Sequence, residues 1–216
     1  MPKKAGILCI ILGAVLILSA LLLFLYNTND GMRAGQDAEL ALSDVQSAIA
    51  ANQATQMTEP VQTQPDETTP TEETEPEETQ DPEMPVTYIG GNGYIGYLAI
   101  PDLELELPVM DTWSESKLNV APCRQFGSTR TDDLVIAAHN FATHFGKLST
   151  LEDGADVFFT DMDGIEIHYR LTKMETLSPY SIEEVQYSGH DLVLYTCTPG
   201  GASRVVAFCD RVEESE

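Results

Sequence analysis

Basic charge is what this chain lacks most. It holds 11 Lys and Arg against 35 Asp and Glu, and none of the basic residues falls between positions 34 and 116. A surface that neutralises nucleic-acid phosphates needs a basic stripe, so nucleic acid is excluded as a partner. Metal-ligand patterns are missing as well. His139 and His144 are separated by four residues with no cysteine or carboxylate cluster beside them, which is not a recognised ligand spacing, and nothing signals a calcium loop. No metal and no cofactor are expected. Long helical patterns are scarce in the second half, where only "SIEEVQ" and "FGKLSTL" suggest a turn or two, the first with Ser181 and Glu184 spaced as a capping box.

One apolar run is long. Gly6 to Tyr26 covers 21 residues without a charge, about 32 Å of helix at 1.5 Å per residue, against a hydrocarbon core of about 30 Å. Leucines continue through Ser19-Ala20, the one small pair that resembles a cleavage site, so an uncleaved signal-anchor is expected. Lys3 and Lys4 precede it and acidic residues follow. This charge bias puts residues 1–5 in the cytoplasm, 6–26 in the membrane and the remainder outside the cell.

Residues 27–86 read as an extracellular linker, with a short juxtamembrane helix over "GQDAELALSDVQSAIAANQA". Glu59 to Glu83 contains ten acidic residues among Pro and Thr and has almost nothing to bury, so a disordered, extended tether is expected there. Repulsion from an anionic surface would push the following domain outward. The globular part is residues 87–216, with room for one core.

That part reads as mostly β. The runs "YIGYLAI", "LELPVM", "DLVIAA", "DVFFT", "GIEIHYRL", "DLVLYT" and "RVVAFCD" are rich in β-branched and aromatic residues and are broken by Gly, Pro and Asp. Many short strands with few helices point to a closed barrel or a sandwich.

The reactive residues sort by position. Cys9 lies in the apolar run; Cys123 and Cys209 fit buried free thiols or a disulfide. Cys197 ends a strand beside Gly200-Gly201, where a thiol is both positioned and open. His139 ends its own apolar strand in the same way. His144 is an alternate in the adjoining loop, His168 falls on a polar strand face, and His190 lies seven residues before Cys197, roughly 23 Å down the strand. If Thr198 to Ser203 form a hairpin loop, Arg204 returns to the rim that holds Cys197, while Arg211 is again roughly 23 Å away.

These residues resemble the sortases, cysteine transpeptidases of Gram-positive surfaces. The likeness runs from "YIGYLAIPDLELELPVM" through "DDLVIAAHNFATHFGKLSTLEDGADVFFTDMDGIEIHY" to "LVLYTCTPGGASRVVAFCDR". It implies a closed eight-stranded β-barrel, with Cys197 as nucleophile, His139 as general acid and base, and Arg204 as the oxyanion or substrate contact. Thr196 would assist at the substrate. The implied partners are secreted proteins with a C-terminal sorting signal and a cell-wall amine as acceptor. The Cys-to-Arg loop is short, no second apolar span closes the chain, and no Asp-Pro-aromatic-Gly lid precedes the barrel. These departures are most similar to class B or class D enzymes rather than the pilin-polymerising class. Two rivals stand beside this reading. A papain-like wall peptidase would place Cys before His in the chain, and a non-catalytic stalked binding module would leave the three residues as packing.

Overall fold

In the computed structural model, residues 2–56 and 84–213 are described. The acidic tether expected over Glu59–Glu83 lies outside them. The first element is a single helix, α1 (Pro2–Gln56). From Ile7 to Tyr26 its large apolar side chains are exposed on every side, and its most apolar stretch has a mean hydropathy of 3.1. A helix that is apolar all round belongs in lipid or in a core, and this stretch is long and apolar enough to cross a membrane.

Beyond Asn27 the pattern changes. Ala34, Ala38, Ala41, Val45, Ala48 and Ile49 recur every three or four residues and so share one face. That face is buried against the β-domain, where Val45 and Ile49 meet Tyr94, Met110 and Met162. The short juxtamembrane helix expected over residues 35–54 is present as part of α1, and the irregular linker expected over the rest of residues 27–56 is corrected. They form a docked helix, because small side chains at helical spacing let its backbone approach the sheet. At its end the Asn52 amide donates to the Met162 carbonyl at 3.0 Å and that of Gln53 to the Gly164 carbonyl at 3.3 Å.

Among the described residues nine strands follow: β1 (Thr87–Ile89), β2 (Asn92–Ile100), β3 (Leu105–Met110), β4 (Cys123–Phe126), β5 (Leu134–Ala137), β6 (Asp156–Asp161), β7 (Glu166–Leu177), β8 (Leu192–Cys197) and β9 (Arg204–Arg211). They pair in the order β1-β2-β3-β4-β5-β8-β9-β7-β6, and β2 also pairs with β6. The last pairing closes β2 to β9 into an eight-stranded barrel, with β1 as a short hairpin arm on β2. Closure brings β2 close to β6 at Gly96, where φ is +144° and a Cβ would lie 2.0 Å from the Thr160 carbonyl oxygen. Only glycine fits that approach.

Alternate residues of the strands fill the barrel, among them Ile136, Phe159, Tyr169, Leu194 and Ala207. Val135, Val193, Val206 and Phe208 line the outer wall and are covered by Val185 of the short helix α3 (Ile182–Gln186). The seven apolar runs read from sequence are β2, β3 and β5 to β9. The short arm β1 and the bulged strand β4 carry too little alternation to be seen. The capping box at α3 is corrected: the Ser181 hydroxyl donates to the Glu184 carboxylate at 2.8 Å and caps no backbone N–H.

Because α1 buries Val45 completely, a chain beginning at residue 84 is expected to melt roughly 5–10 °C below one beginning at residue 27, since a few kcal/mol of lost burial moves a domain of this size by that much. Thermal melts of the two chains check this, and equal midpoints would show that the helix rests on the barrel without stabilising it.

Candidate active site

The site begins with a parallel strand pair. β5 and β8 run in register from Leu134 opposite Leu192 to Ala137 opposite Tyr195. The ladder continues with the Ala138 N–H donating to the Tyr195 carbonyl at 3.1 Å. The buried Thr196 hydroxyl then donates to the Ala138 carbonyl at 2.8 Å. Two residues past the last register pair, His139 and Cys197 stand level with each other at one rim. On the other side of β8, antiparallel β9 places Arg204 directly opposite Cys197. The three residues thus occupy three neighbouring strand ends, with strands about 4.8 Å apart.

Side-chain alternation puts all three on the same face. Leu192, Leu194 and the buried Thr196 occupy the inner positions of β8. Cys197 shares the outer parity of Val193 and Tyr195, Arg204 that of Val206, and His139 that of Val135. All three are part-exposed on the outer wall at its rim. The expected substrate contact by Thr196 is corrected, because its side chain points inward and its hydroxyl is committed to Ala138. It ties the two strands together.

His139 has a partner that the sequence did not reveal. Its Nε2 lies 3.1 Å from Oδ1 of Asn119, the residue after the four-residue helix α2 (Glu115–Leu118). A carboxamide oxygen only accepts, so Nε2 carries the hydrogen and the Nδ1 lone pair of the neutral ring is left free for a proton. The ring of Phe141 lies 4.9 Å from that of His139, centroid to centroid. Asn119 is 20 residues from His139 and belongs to no motif, so only the folded chain shows the pairing.

Arg204 Nη1 donates to the carbonyls of Gly201 at 3.3 Å and Ser203 at 3.2 Å. The loop it leans on is closed by the Thr198 N–H donating to the Ser203 carbonyl at 3.0 Å. Arg211 sits at the far rim, where Nη2 donates to the Thr129 carbonyl at 2.9 Å. Beside Arg204 a cleft of about 180 Å³ runs over the outer wall, lined by Trp113, Gln125, Phe126, Leu177, Val185 and Tyr195. The Tyr195 hydroxyl donates to Gln125, and burial pushes its phenol up to about 12.

The remaining candidates are placed elsewhere. His144 is buried beneath the histidine loop; burial, with the His139 charge second, holds its imidazole down to about 4. His168 pairs with Asp156 at 2.8 Å, and His190 with Asp210 at 2.7 Å. Cys123 and Cys209 are free and buried, and burial pushes both thiols up to about 12. Among the described residues, no group of three or more His, Cys, Asp and Glu side chains is arranged to hold a metal ion.

No curated protein sequence matches the chain. Among solved structures, sortase A from Corynebacterium diphtheriae is similar at 20% identity with a TM-score of 0.51, over 57% of this chain and 63% of that one. The chain therefore spans less than two thirds of that relative. Sortase C1 from Streptococcus suis is similar at 25% identity and a TM-score of 0.49, over 56% of this chain and 74% of that one. Sortase C1 from Streptococcus agalactiae is similar at 21% identity and a TM-score of 0.49, over 59% and 72%. The first of these shows the fold. A family model described as the sortase domain matches residues 98–212, more than half of the chain and all of the strands from β3 to β9. The chain belongs to the sortase family.

Proposed function

We propose that the protein is a membrane-anchored cysteine transpeptidase that cleaves the C-terminal sorting signal of secreted proteins and transfers them to a cell-wall amine. The observation that carries this reading is the placement of Cys197, His139 and Arg204 on three adjacent strand ends, facing outward beside a cleft. Residues 6–26 span the membrane, with Lys3 and Lys4 on the cytoplasmic side, and residues 87–216 form the extracellular catalytic domain.

In the first half-reaction the Cys197 sulfur attacks a backbone carbonyl of the sorting signal, and its proton passes to His139. The C–N bond breaks, His139 returns the proton to the departing amine, and a thioester remains on Cys197. In the second, His139 takes a proton from the incoming amine as its nitrogen attacks the thioester, and the thiol is restored. Asn119 holds the imidazole through Nε2 and leaves Nδ1 for the proton transfers. Arg204 exchanges its two long contacts with loop carbonyls for the substrate carbonyl, whose oxygen gains charge in the tetrahedral intermediate. The open outer wall and the cleft suit an extended peptide, with Tyr195 and Trp113 as apolar contacts.

A panel of candidate sorting peptides incubated with short amines and read by mass spectrometry tests the activity. Transfer to the amine supports the reading, while cleavage by water alone would replace it with a wall peptidase. Within that assay Arg204→Ala is expected to lower turnover by about 10² or more, the scale seen when an oxyanion donor is removed. Arg204→Lys recovers part of that loss, because an ammonium lacks the planar fork. Arg211→Ala stays within a few-fold of the parent, and equal losses at both arginines would mean damage to the barrel rather than to the site.

Thiol chemistry gives a separate test. A charged methanethiosulfonate reagent at neutral pH is expected to add once to the full chain held in a lipid bilayer, at Cys197, because Cys123 and Cys209 are buried and protonated and Cys9 lies within the membrane span, out of reach of a charged reagent. Peptide mapping that finds either buried cysteine modified as fast as Cys197 would contradict the assignment.

A further inference from the structure

The path of α1 along the barrel fixes which end of the enzyme meets the membrane. β5, β7 and β8 run in one direction and β6 in the other. The rim that holds His139 and Cys197 and the turn joining β6 to β7 are therefore at opposite ends of the barrel. α1 touches both. Near its middle the Thr143 hydroxyl donates to the Gly31 carbonyl at 2.9 Å, and Thr143 packs on Gly35 so closely that a Cβ there would lie 2.7 Å from its methyl group. About 20 residues later Asn52 and Gln53 reach Met162 and Gly164 in the β6–β7 turn, roughly 30 Å further along the helix. Rising residue number thus leads from the catalytic rim to the far rim.

Followed the other way, the same unbroken helix leaves the catalytic rim and enters the uncharged run Gly6–Tyr26. Phe24, which belongs to that run, lines a cleft together with Asn27, Asn140 and Phe141. The histidine loop therefore meets the helix where the apolar run ends. The loops Asn140–Thr143 and Thr198–Ser203 carry no charged residue in a chain of net charge −24, while the far rim carries Arg130, Asp132, Asp133, Asp161 and Asp163. Near the helix the catalytic side carries acidic groups as well: Asp30 lines the cleft with Asn140 and Phe141, and Glu39, Glu104 and Glu106 line the adjoining cleft together with Lys147. Glu183 and Glu184 belong to α3, whose Val185 packs on the outer wall.

We propose that the catalytic rim faces the bilayer, with the Asn140–Thr143 loop at the headgroup level of a zwitterionic lipid surface and residues 27–56 acting as the strut that sets this height. This rests on the reading of residues 6–26 as the membrane span and of the His139–Cys197 rim as the active site. A polar loop with one aromatic ring suits the headgroup layer. The site then receives peptide and amine close to the membrane surface, and a substrate tethered to the same bilayer reaches it at high effective concentration.

The full chain in phosphatidylcholine nanodiscs containing a nitroxide-headgroup lipid tests the orientation. In a Cys197→Ala background, Ala142→Cys at the catalytic rim and Glu166→Cys at the far rim are each labelled with a water-soluble fluorophore. The Ala142 probe is expected to be quenched several-fold more strongly than the Glu166 probe. Equal quenching, or the reverse order, overturns the proposal. Should either variant fail to fold, hydroxyl-radical footprinting of the unmodified chain carries the same reading, with residues 140–143 protected in nanodiscs relative to 163–166; the opposite protection overturns it. Neither readout needs turnover, so the orientation and the transpeptidase reading, which the soluble peptide panel reports, fail separately.

Discussion

The parallel pairing of β5 with β8 is the constraint on which the site depends. Parallel neighbours end at the same rim, so a residue just past the end of each strand is brought alongside the other whatever lies between them in sequence. Thr196 and Ala138, 58 residues apart, are locked by the bond from the threonine hydroxyl to the alanine carbonyl. One residue further on each strand carries the thiol and the imidazole. The pair is central to the barrel and buried through Ile136 and Leu194, so its register is set by which side chains face the core; a slip of one residue would turn them outward. The β8–β9 hairpin then adds Arg204 by local geometry alone.

The far rim is held differently. Asp161 is fully buried, its Oδ2 2.7 Å from Arg130 Nη2, while its Oδ1 accepts the backbone N–H groups of Asp163 at 3.0 Å and Ile165 at 2.9 Å. A buried carboxylate with these partners fixes the β6–β7 turn to the β4–β5 connection, and removing the arginine would leave it uncompensated. Docking of α1 by small residues completes the frame, since its last turn bonds to the same region. Electrostatic anchoring is thus concentrated at one end of the barrel, and the open chemistry at the other.

Much of the fold was legible because half of its information is periodicity and strand-end position. Seven apolar runs became strands, and His139, Cys197 and Arg204 were singled out by where each sits relative to a strand end. What stayed hidden depends on contacts between distant segments. Thr196 reads as a polar residue next to the thiol, but its parity aims it into the barrel. Asn119 follows a four-residue helix with no pattern of its own. The stripe from Ala34 to Ile49 was read by composition as a short helix within a linker, although its spacing already placed the small residues on one face that could dock. Strand β4 is four residues long with a register shift between Arg124 and Phe126, and such a strand exists only because β5 is there to pair with it.

The central claim is that the thiol placed by β8 becomes acylated during turnover. Acid quenching of the full chain while it turns over a cleaved peptide, followed by intact-mass measurement and peptide mapping, tests it most directly. The account requires one acyl adduct, on Cys197, that disappears when a short amine is added while the transfer product appears in step. An adduct on any other residue, or transfer without an adduct on Cys197, would contradict it.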